Sequence, residues 1–440
     1  DLSLLLTSDK QKLASAILQT YKSPYAIRNK SFVAKHDSPE LISYGLYRLA
    51  RRQPATAAKL LTYYKTKYTF TAEQLKRVNQ AIALRYALRK NKLATRYYRK
   101  VIGQPLAPVY ESYLFKAALY HKDWQLLKDS IAAMKADKKN QPRFKYWYGK
   151  ALIKLGHRSE GQQFLEEVAQ IRDYYGFLAS YHLKQVPQVN DSGKAYIEAE
   201  QQRIQNLPGL IRAKAFYQND QKHHARVELF YLMQFENEKN KYLITKEVEH
   251  WGWLSQSVRM SFKLNHKDDL GLRYPMKYQQ VIAKHAAKHK VPQPLVYAII
   301  RQESLFTVRI QSHAGAIGLM QLMPKTAHIT SKQYKIPYKG ADSLKHAKTN
   351  LKLGIAHLHR LNLELNKHPL LIIASYNAGK RAVRRWIPNN SQGLDGEIWI
   401  EMVPYKETRR YLRHVVANYV IYQHRLGLKP SLKTVLRTVK

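Results

Sequence analysis

With 440 residues the chain is too long for one ordinary core and long enough to build two or three, each with ample buried surface. It has no cysteine, which excludes disulfides and thiolate metal sites and leaves the redox compartment open. Its 75 Lys and Arg against 31 Asp and Glu leave a net charge of +44, so a polyanionic partner is the first class to consider, whether nucleic acid, anionic lipid or carboxylate-bearing cell-wall polymer.

The plain alternative is a basic protein whose lysines simply face water. No apolar run approaches the roughly 20 residues needed to span a bilayer. The start at Asp1, without methionine or a signal-like apolar region, is expected to reflect a processed or trimmed form.

From residue 1 to about 240, Leu, Ala, Tyr, Lys and Gln recur with apolar positions three and four apart, broken by short Pro, Gly or Asn punctuation. That pattern predicts helix after helix. Around residues 146–156, Tyr146, Gly149, Leu152, Ile153 and Gly156 fall on one helical side; residues 158–170 form a second helix, and Tyr174-Tyr175-Gly176-Phe177-Leu178 opens a third. Small residues such as Gly149 and Ala151 permit close helix approach. Paired patterns recur without a fixed period, which predicts an irregular stacked α-solenoid. Most of the 32 tyrosines are expected to pack between helices with the hydroxyl at the edge.

Trp251 and Trp253, the charged run Lys267-Asp268-Asp269 and then Leu272-Arg273-Tyr274-Pro275 mark a short helical linker and a boundary. The expected division is 1–238, 239–274 and 275–440. In the last part Gly315, Gly318, Gly340, Gly354, Gly379, Gly393 and Gly396 cluster, and shorter helices alternate with loops, the usual setting for a site.

Residues 292–300 read as an apolar helix opened by prolines, whose end delivers Arg301-Gln302-Glu303-Ser304. A carboxyl against Ile299, Ile300, Leu305 and Phe306 would be partly desolvated and its pKa raised, which suits a general acid. An ion pair with Arg301 or Arg309 is the alternative. Next comes Ser312-His313-Ala314-Gly315-Ala316-Ile317-Gly318-Leu319-Met320-Gln321-Leu322-Met323-Pro324, with glycines for tight turns, Pro324 for a new helix, and a Gln-x-Met pair that would share one wall.

These residues resemble the soluble lytic transglycosylases. Glu303-Ser304, Ser312 and the segment 318–324 match that family's Glu-Ser, downstream Ser and Gly-Leu-Met-Gln-x-Met-Pro; Ser375-Tyr376-Asn377-Ala378-Gly379 is similar to its Ala-Tyr-Asn-Ala-Gly, and residues 403–411 to its Pro-Tyr-x-Glu-Thr-Arg-x-Tyr. Ser375 stands in place of the usual Ala, and Leu412 where Val is commoner.

The resemblance implies an all-α protein: an N-terminal α-superhelix, a short helical linker domain and a C-terminal lysozyme-like domain of goose type. It implies Glu303 as acid and base; Ser312, Gln321 and Met323 lining a glycan groove; and Tyr376, Asn377 and Glu407 completing the site. The implied reaction cuts the β-1,4 bond between N-acetylmuramic acid and N-acetylglucosamine of peptidoglycan strands, leaves a 1,6-anhydro end and needs no cofactor. A monomer in the periplasm or envelope of a Gram-negative bacterium is the implied setting, in transient association with anionic envelope surfaces and with no nucleic-acid partner.

A second carboxylate is the usual requirement of glycosidases. Asp342 reads as a cap before a helix over 344–361, Glu364 closes that helix and Asp395 sits in a Gly-rich loop, so none carries a catalytic motif. Glu407 also has an alternative reading, a salt bridge to Arg409 or Arg410. His285 with His289 and His357 with His359 have ligand-like spacing but lysine flanks and no nearby carboxylates, so no metal site is expected. A lysozyme-type hydrolase and a basic solenoid scaffold binding nucleic acid or protein are the rival readings.

Overall fold

The computed structural model describes residues 8–193 and 198–440, and among them every regular element is a helix; β structure is confined to isolated bridges at Gln311 with Ile317, Ile317 with Leu322, and Leu394 with Val439. The chain divides between Val168 and Ala169 into two compact units.

The first unit stacks antiparallel helix pairs, among them Pro39–Ala50 with Pro54–Lys65 and Pro142–Lys154 with Arg158–Ala169. Prolines open these helices because the first turn has no partner for the missing N–H. Thr71 and Gln74 close a reciprocal capping box at the start of Ala72–Leu88. Gly149 and Gly161 allow the closest approach: a Cβ on Gly149 would sit 2.8 Å from the Gly161 carbonyl, and one on Gly161 2.6 Å from the Gly149 carbonyl. Tyr64, Tyr98 and Tyr146 are buried between helices, and the Tyr64 hydroxyl donates to the Ile27 carbonyl at 2.8 Å.

In the second unit one apolar core joins Ile204, Leu210, Leu229 and Met233 to Tyr242, Val248, Trp253 and Leu272. The Trp253 ring stacks on Tyr217 at 4.7 Å. The short helix Leu270–Arg273 is capped by Asp269, which accepts from Leu272 N and from the Tyr242 hydroxyl. Beyond it, Gln293–Ser304 packs along Lys406–Arg425, with Tyr297 stacked on Tyr422 at 5.1 Å, and Ala347–Glu364 and Pro369–Ala378 complete the bundle. The helix Tyr174–His182 docks here too: the Tyr175 hydroxyl donates to buried Glu401 at 2.6 Å and accepts from Arg413 at 2.8 Å.

Asp342 is not a helix cap. Residues Ala341–Lys345 form a 3-10 turn in which Asp342 pairs with Lys345 at 2.6 Å, and the helix starts later, at Ala347, with His346 in the cap position. A short turn bounded by Gly340 has too few residues to show a helical period, so the boundary reads as part of the following helix.

Candidate active site

Leu295 through Ile300 are buried on every side of the helix, which makes Gln293–Ser304 a core helix and places Glu303 in its last turn. Leu305 (φ 47°) and Phe306 (φ 63°) then take the left-handed region, an arrangement that costs of order 1–3 kcal/mol per residue and ends the helix abruptly at the carboxylate. Glu303 is partly exposed. The Tyr411 hydroxyl donates to its Oε1 at 2.6 Å. Burial pushes the Glu303 carboxyl up to about 7; the Tyr411 hydrogen bond opposes that rise and the charge of Glu407 adds to it. Near neutral pH both protonation states are therefore populated, which is what a group that first gives and then takes a proton requires.

The ion-pair alternative is not realised by Arg301. Its Nε donates to the Arg273 carbonyl at 2.7 Å and its guanidinium lies over the Tyr274 ring at 4.1 Å. Glu407 is exposed in the first turn of Lys406–Arg425, while Arg409 donates to the carbonyls of Val403 and Pro404.

The segment after Glu303 folds back on itself. Ser312 N donates to the Ala316 carbonyl and Ala316 N returns a bond to the Ser312 hydroxyl at 3.0 Å; Ile317 and Leu322 exchange both backbone bonds at 3.0 Å. Leu322 is buried, whereas Gln321 is half-buried and Met323 is 41% exposed, so the Gln-x-Met pair lies on the accessible side of the loop. Gln321 (φ 45°) spends its amide nitrogen on the carbonyls of Gly318 and Ile310. Gly318 (φ 80°) has no room for a Cβ, which would overlap Asn350 Nδ2 and the Leu344 carbonyl oxygen.

Tyr376 donates its hydroxyl to the Met320 carbonyl at 2.7 Å, and burial together with the Glu303 charge holds it well above the usual phenol range. Asn377 Oδ1 accepts from the Thr408 hydroxyl at 2.7 Å, tying Pro369–Ala378 to the C-terminal helix. The Glu407 charge thus acts on Glu303 and the Glu303 charge on Tyr376, and Gln321, Met323 and Tyr376 share the 317–323 loop as a wall or a bonding partner.

Two residues escaped the sequence reading. Tyr411 was legible only as a letter in a motif, because its bond to Glu303 spans 108 positions. Asn350 is wholly buried in the apolar helix Ala347–Glu364; its Oδ1 accepts from Met320 N at 2.8 Å and its Nδ2 donates to the Ile317 and Leu344 carbonyls at 2.8 and 3.0 Å. A lone amide on an apolar helix face, which must find partners if buried, was the available signal.

Other acids sit elsewhere. Glu364 pairs with Lys380 at 2.6 Å, and Asp395 holds the cap position of Gly396–Met402. His289 and His359 meet as rings at 5.4 Å, and burial, reinforced by Arg360, holds His357 down to about 3. Among the described residues no group of three or more His, Cys, Asp or Glu is placed to hold a metal.

Residues 280–398 match the model of the transglycosylase SLT domain and residues 203–270 that of the soluble lytic murein transglycosylase L domain. The soluble lytic murein transglycosylase of Escherichia coli K12 is 27% identical over 326 residues, covering 72% of this chain and 49% of that protein. A putative soluble lytic murein transglycosylase of Haemophilus influenzae is 29% identical over 292 residues, covering 66% and 48%. The chain therefore spans about half the length of the curated relatives it matches. Among solved structures, an inactive glutamate-to-glutamine mutant of the lytic transglycosylase Slt from Pseudomonas aeruginosa aligns at TM-score 0.73 and 25% identity, over 98% of this chain and 70% of that one. The 70 kDa soluble lytic transglycosylase of Escherichia coli aligns at TM-score 0.74 and 22% identity, over 100% and 72%, and supports the fold alone. The helical architecture, a superhelical region with a lysozyme-like domain, is the one the sequence predicts. By its two matched domains, its relatives and its fold, the chain is similar to the soluble lytic transglycosylases.

Proposed function

We propose that this chain cleaves the β-1,4 bond between N-acetylmuramic acid and N-acetylglucosamine in peptidoglycan and leaves a 1,6-anhydromuramic end. The observation that carries the reading is Glu303: a protonatable carboxyl with its pKa near 7, ending a core helix beside an accessible loop and oriented by Tyr411. Glu303 protonates the glycosidic oxygen, Tyr376 and the Met320 carbonyl face the positive charge that develops on the sugar, and Glu303 then takes the proton from the muramic C6 hydroxyl. That hydroxyl is tethered to the reacting ring, so its attack has the large effective concentration of a unimolecular step. Ser312, Gln321, Met323, Asn377 and Glu407 hold the strand. The division into an N-terminal part to 238, a linker to 274 and a catalytic part beyond it belongs to the same reading, as does a periplasmic or envelope location. The net charge of +44 supports capture of a polymer bearing peptide carboxylates.

Mass analysis of products from purified sacculi tests the chemistry. Muropeptides lighter by one water than hydrolytic products and lacking a reducible end are expected. Reducing ends carrying labelled solvent oxygen would instead make the enzyme a hydrolase.

Tyr411→Phe tests the proton donor. Because the tyrosine bond lowers the Glu303 pKa, its loss raises that pKa above about 7. Activity requires protonated Glu303 and falls as pH rises through its pKa, so the alkaline limb of the kcat/KM profile moves to higher pH, with a plateau lowered about tenfold by lost orientation. A limb that stays put or moves down would remove Tyr411 from the acid's environment.

A further inference from the structure

A surface helix ordinarily turns a polar face to water, and the helix Lys222–Phe235 does not. Ala225, Leu229 and Met233, spaced four apart, are buried, as the inner face of such a helix should be. The opposite face is apolar as well. Val227, Tyr231 and Phe235 form a second row at the same spacing with Phe230 beside it, and the four stand 41%, 56%, 85% and 48% exposed in that order. Single exposed apolar residues need no explanation, whereas four contiguous on one face mark a docking surface.

This face borders a cavity of about 540 Å³ shared with the helix Leu254–Ser261. The floor is Leu229, Met233 and Met260, the charged members are Arg226, Arg259 and Lys263, and no carboxylate lines it. The Lys263 ammonium lies over the Phe230 ring at 5.0 Å and the Arg226 guanidinium over the Trp253 ring at 5.5 Å. Partial burial, with the Arg259 charge added, holds Arg226 below its ordinary range, so the two guanidinium groups repel each other across the cavity. An anion between them relieves that repulsion.

The chemistry of the lining selects the occupant. Guanidinium and ammonium groups only donate, and acceptors are few: the Gln256 side-chain oxygen, the Tyr231 hydroxyl and the His223 ring. A glycan brings hydroxyls and an extended peptide brings amides, donors that this lining leaves largely unanswered. A phosphodiester carries negative charge and only accepts, and an acyl chain needs no polar partner at all. Cations beside protruding aromatic rings are the pattern of surfaces that lie on anionic bilayers.

We propose that the face formed by Val227, Phe230, Tyr231 and Phe235 rests in the interface of an anionic phospholipid bilayer, with Arg226, Arg259 and Lys263 on the headgroup phosphates. Attachment is peripheral: the rings reach the boundary between headgroups and acyl chains, and no helix among the described residues is long and apolar enough to cross a membrane. The assignment is independent of the chemistry at Glu303.

A net charge of +44 draws the whole protein toward any anionic surface, so the test isolates this face. The chain has no cysteine, and Phe235→Cys therefore gives a single attachment point for a polarity-sensitive fluorophore. Its emission is expected to shift to the blue with vesicles of phosphatidylcholine and phosphatidylglycerol, and to stay put with phosphatidylcholine alone or with purified sacculi. In flotation with the mixed vesicles, Arg259→Gln with Lys263→Gln is expected to lose at least tenfold in affinity, at about fivefold per cation, and Tyr231→Ser with Phe235→Ser a similar amount. Lys59→Gln with Lys92→Gln removes the same charge from the other unit and should cost less than twofold. All six side chains are exposed, so these variants are expected to fold. Equal losses in the Lys59 and Arg259 pairs would reduce the binding to net charge and overturn the site. A blue shift with sacculi but not vesicles assigns the face to glycan strands, and one that grows with protein concentration alone assigns it to a second copy; either overturns the lipid assignment.

Discussion

Glu303→Gln is expected to lower turnover of peptidoglycan strands at least a thousandfold while strand affinity changes by less than about threefold. The amide keeps the shape and can still accept from Tyr411, but it has no proton to give to the leaving oxygen, and general acid catalysis alone is worth roughly 10²–10⁴. Here the same group also acts as the base, so the loss falls at the upper end. Single-turnover rates with binding measured separately on the same strands decide the matter. A variant that keeps a tenth of the parent rate would move the acid role to another carboxylate, with Glu407 the first to examine because its charge already acts on Glu303.

The same substitution has a stability signature whose sign follows from the raised pKa. Between about 4.5 and about 7 the unfolded chain releases the Glu303 proton while the folded chain retains it, so stability falls as pH rises through that window and levels off above it. At about 1.4 kcal/mol per unit, the penalty amounts to a few kcal/mol above pH 7 and vanishes below pH 4.5. Glu303→Gln is therefore expected to be the more stable protein at pH 8 and no more stable at pH 4, measured by urea midpoints. Greater stability with less activity would mark the carboxylate as strained in the service of chemistry.

The parts of this molecule that could be read in advance are those written locally. Helix periodicity, prolines at helix starts and the close approach at Gly149 lie within a few residues or one helix pair, and the architecture follows from them. Glu303 was legible for a similar reason, since an apolar helix running into a carboxylate and a glycine-rich loop is a local pattern. Interactions that join distant segments were not. Tyr411 reaches Glu303 across 108 positions, Asn350 ties the Met320 amide and the Ile317 carbonyl of a loop about 30 residues away, and the docking of Tyr175 on Glu401 spans 226. The cap assigned to Asp342 failed for the opposite reason, because a five-residue 3-10 turn is too short to distinguish from the helix it precedes.

Asn350→Ala is expected to destabilise the catalytic part by about 3–5 kcal/mol and to lower activity more than the unfolded fraction explains. Asn350 is 0% exposed, and each of its three bonds serves a backbone group that has no water to fall back on: Met320 N, the Ile317 carbonyl and the Leu344 carbonyl. Removing the amide strands Met320 N and the Leu344 carbonyl, at roughly 1–3 kcal/mol apiece before relaxation, takes one of two donors from the Ile317 carbonyl, which keeps its bond from Leu322 N, and opens a small cavity besides. The loss is directed, because Met320 offers its carbonyl to Tyr376 and is followed by Gln321 and Met323, so slack at Asn350 loosens the wall of the candidate groove. Gly318 adds to the effect: it meets the Asn350 amide so closely that no side chain fits there, and an alanine at 350 leaves a gap where the two now touch. Asn350→Asp separates the contributions. It retains the oxygen that accepts from Met320 N but replaces two donations with a buried charge facing two carbonyls, and is expected to be at least as damaging as alanine. Urea unfolding of the three proteins, paired with kcat/KM below the transition, tests both claims. If Asn350→Ala unfolds within about 1 kcal/mol of the parent, the amide does not hold the loop; if its activity falls only in proportion to unfolding, the loop does not shape the site.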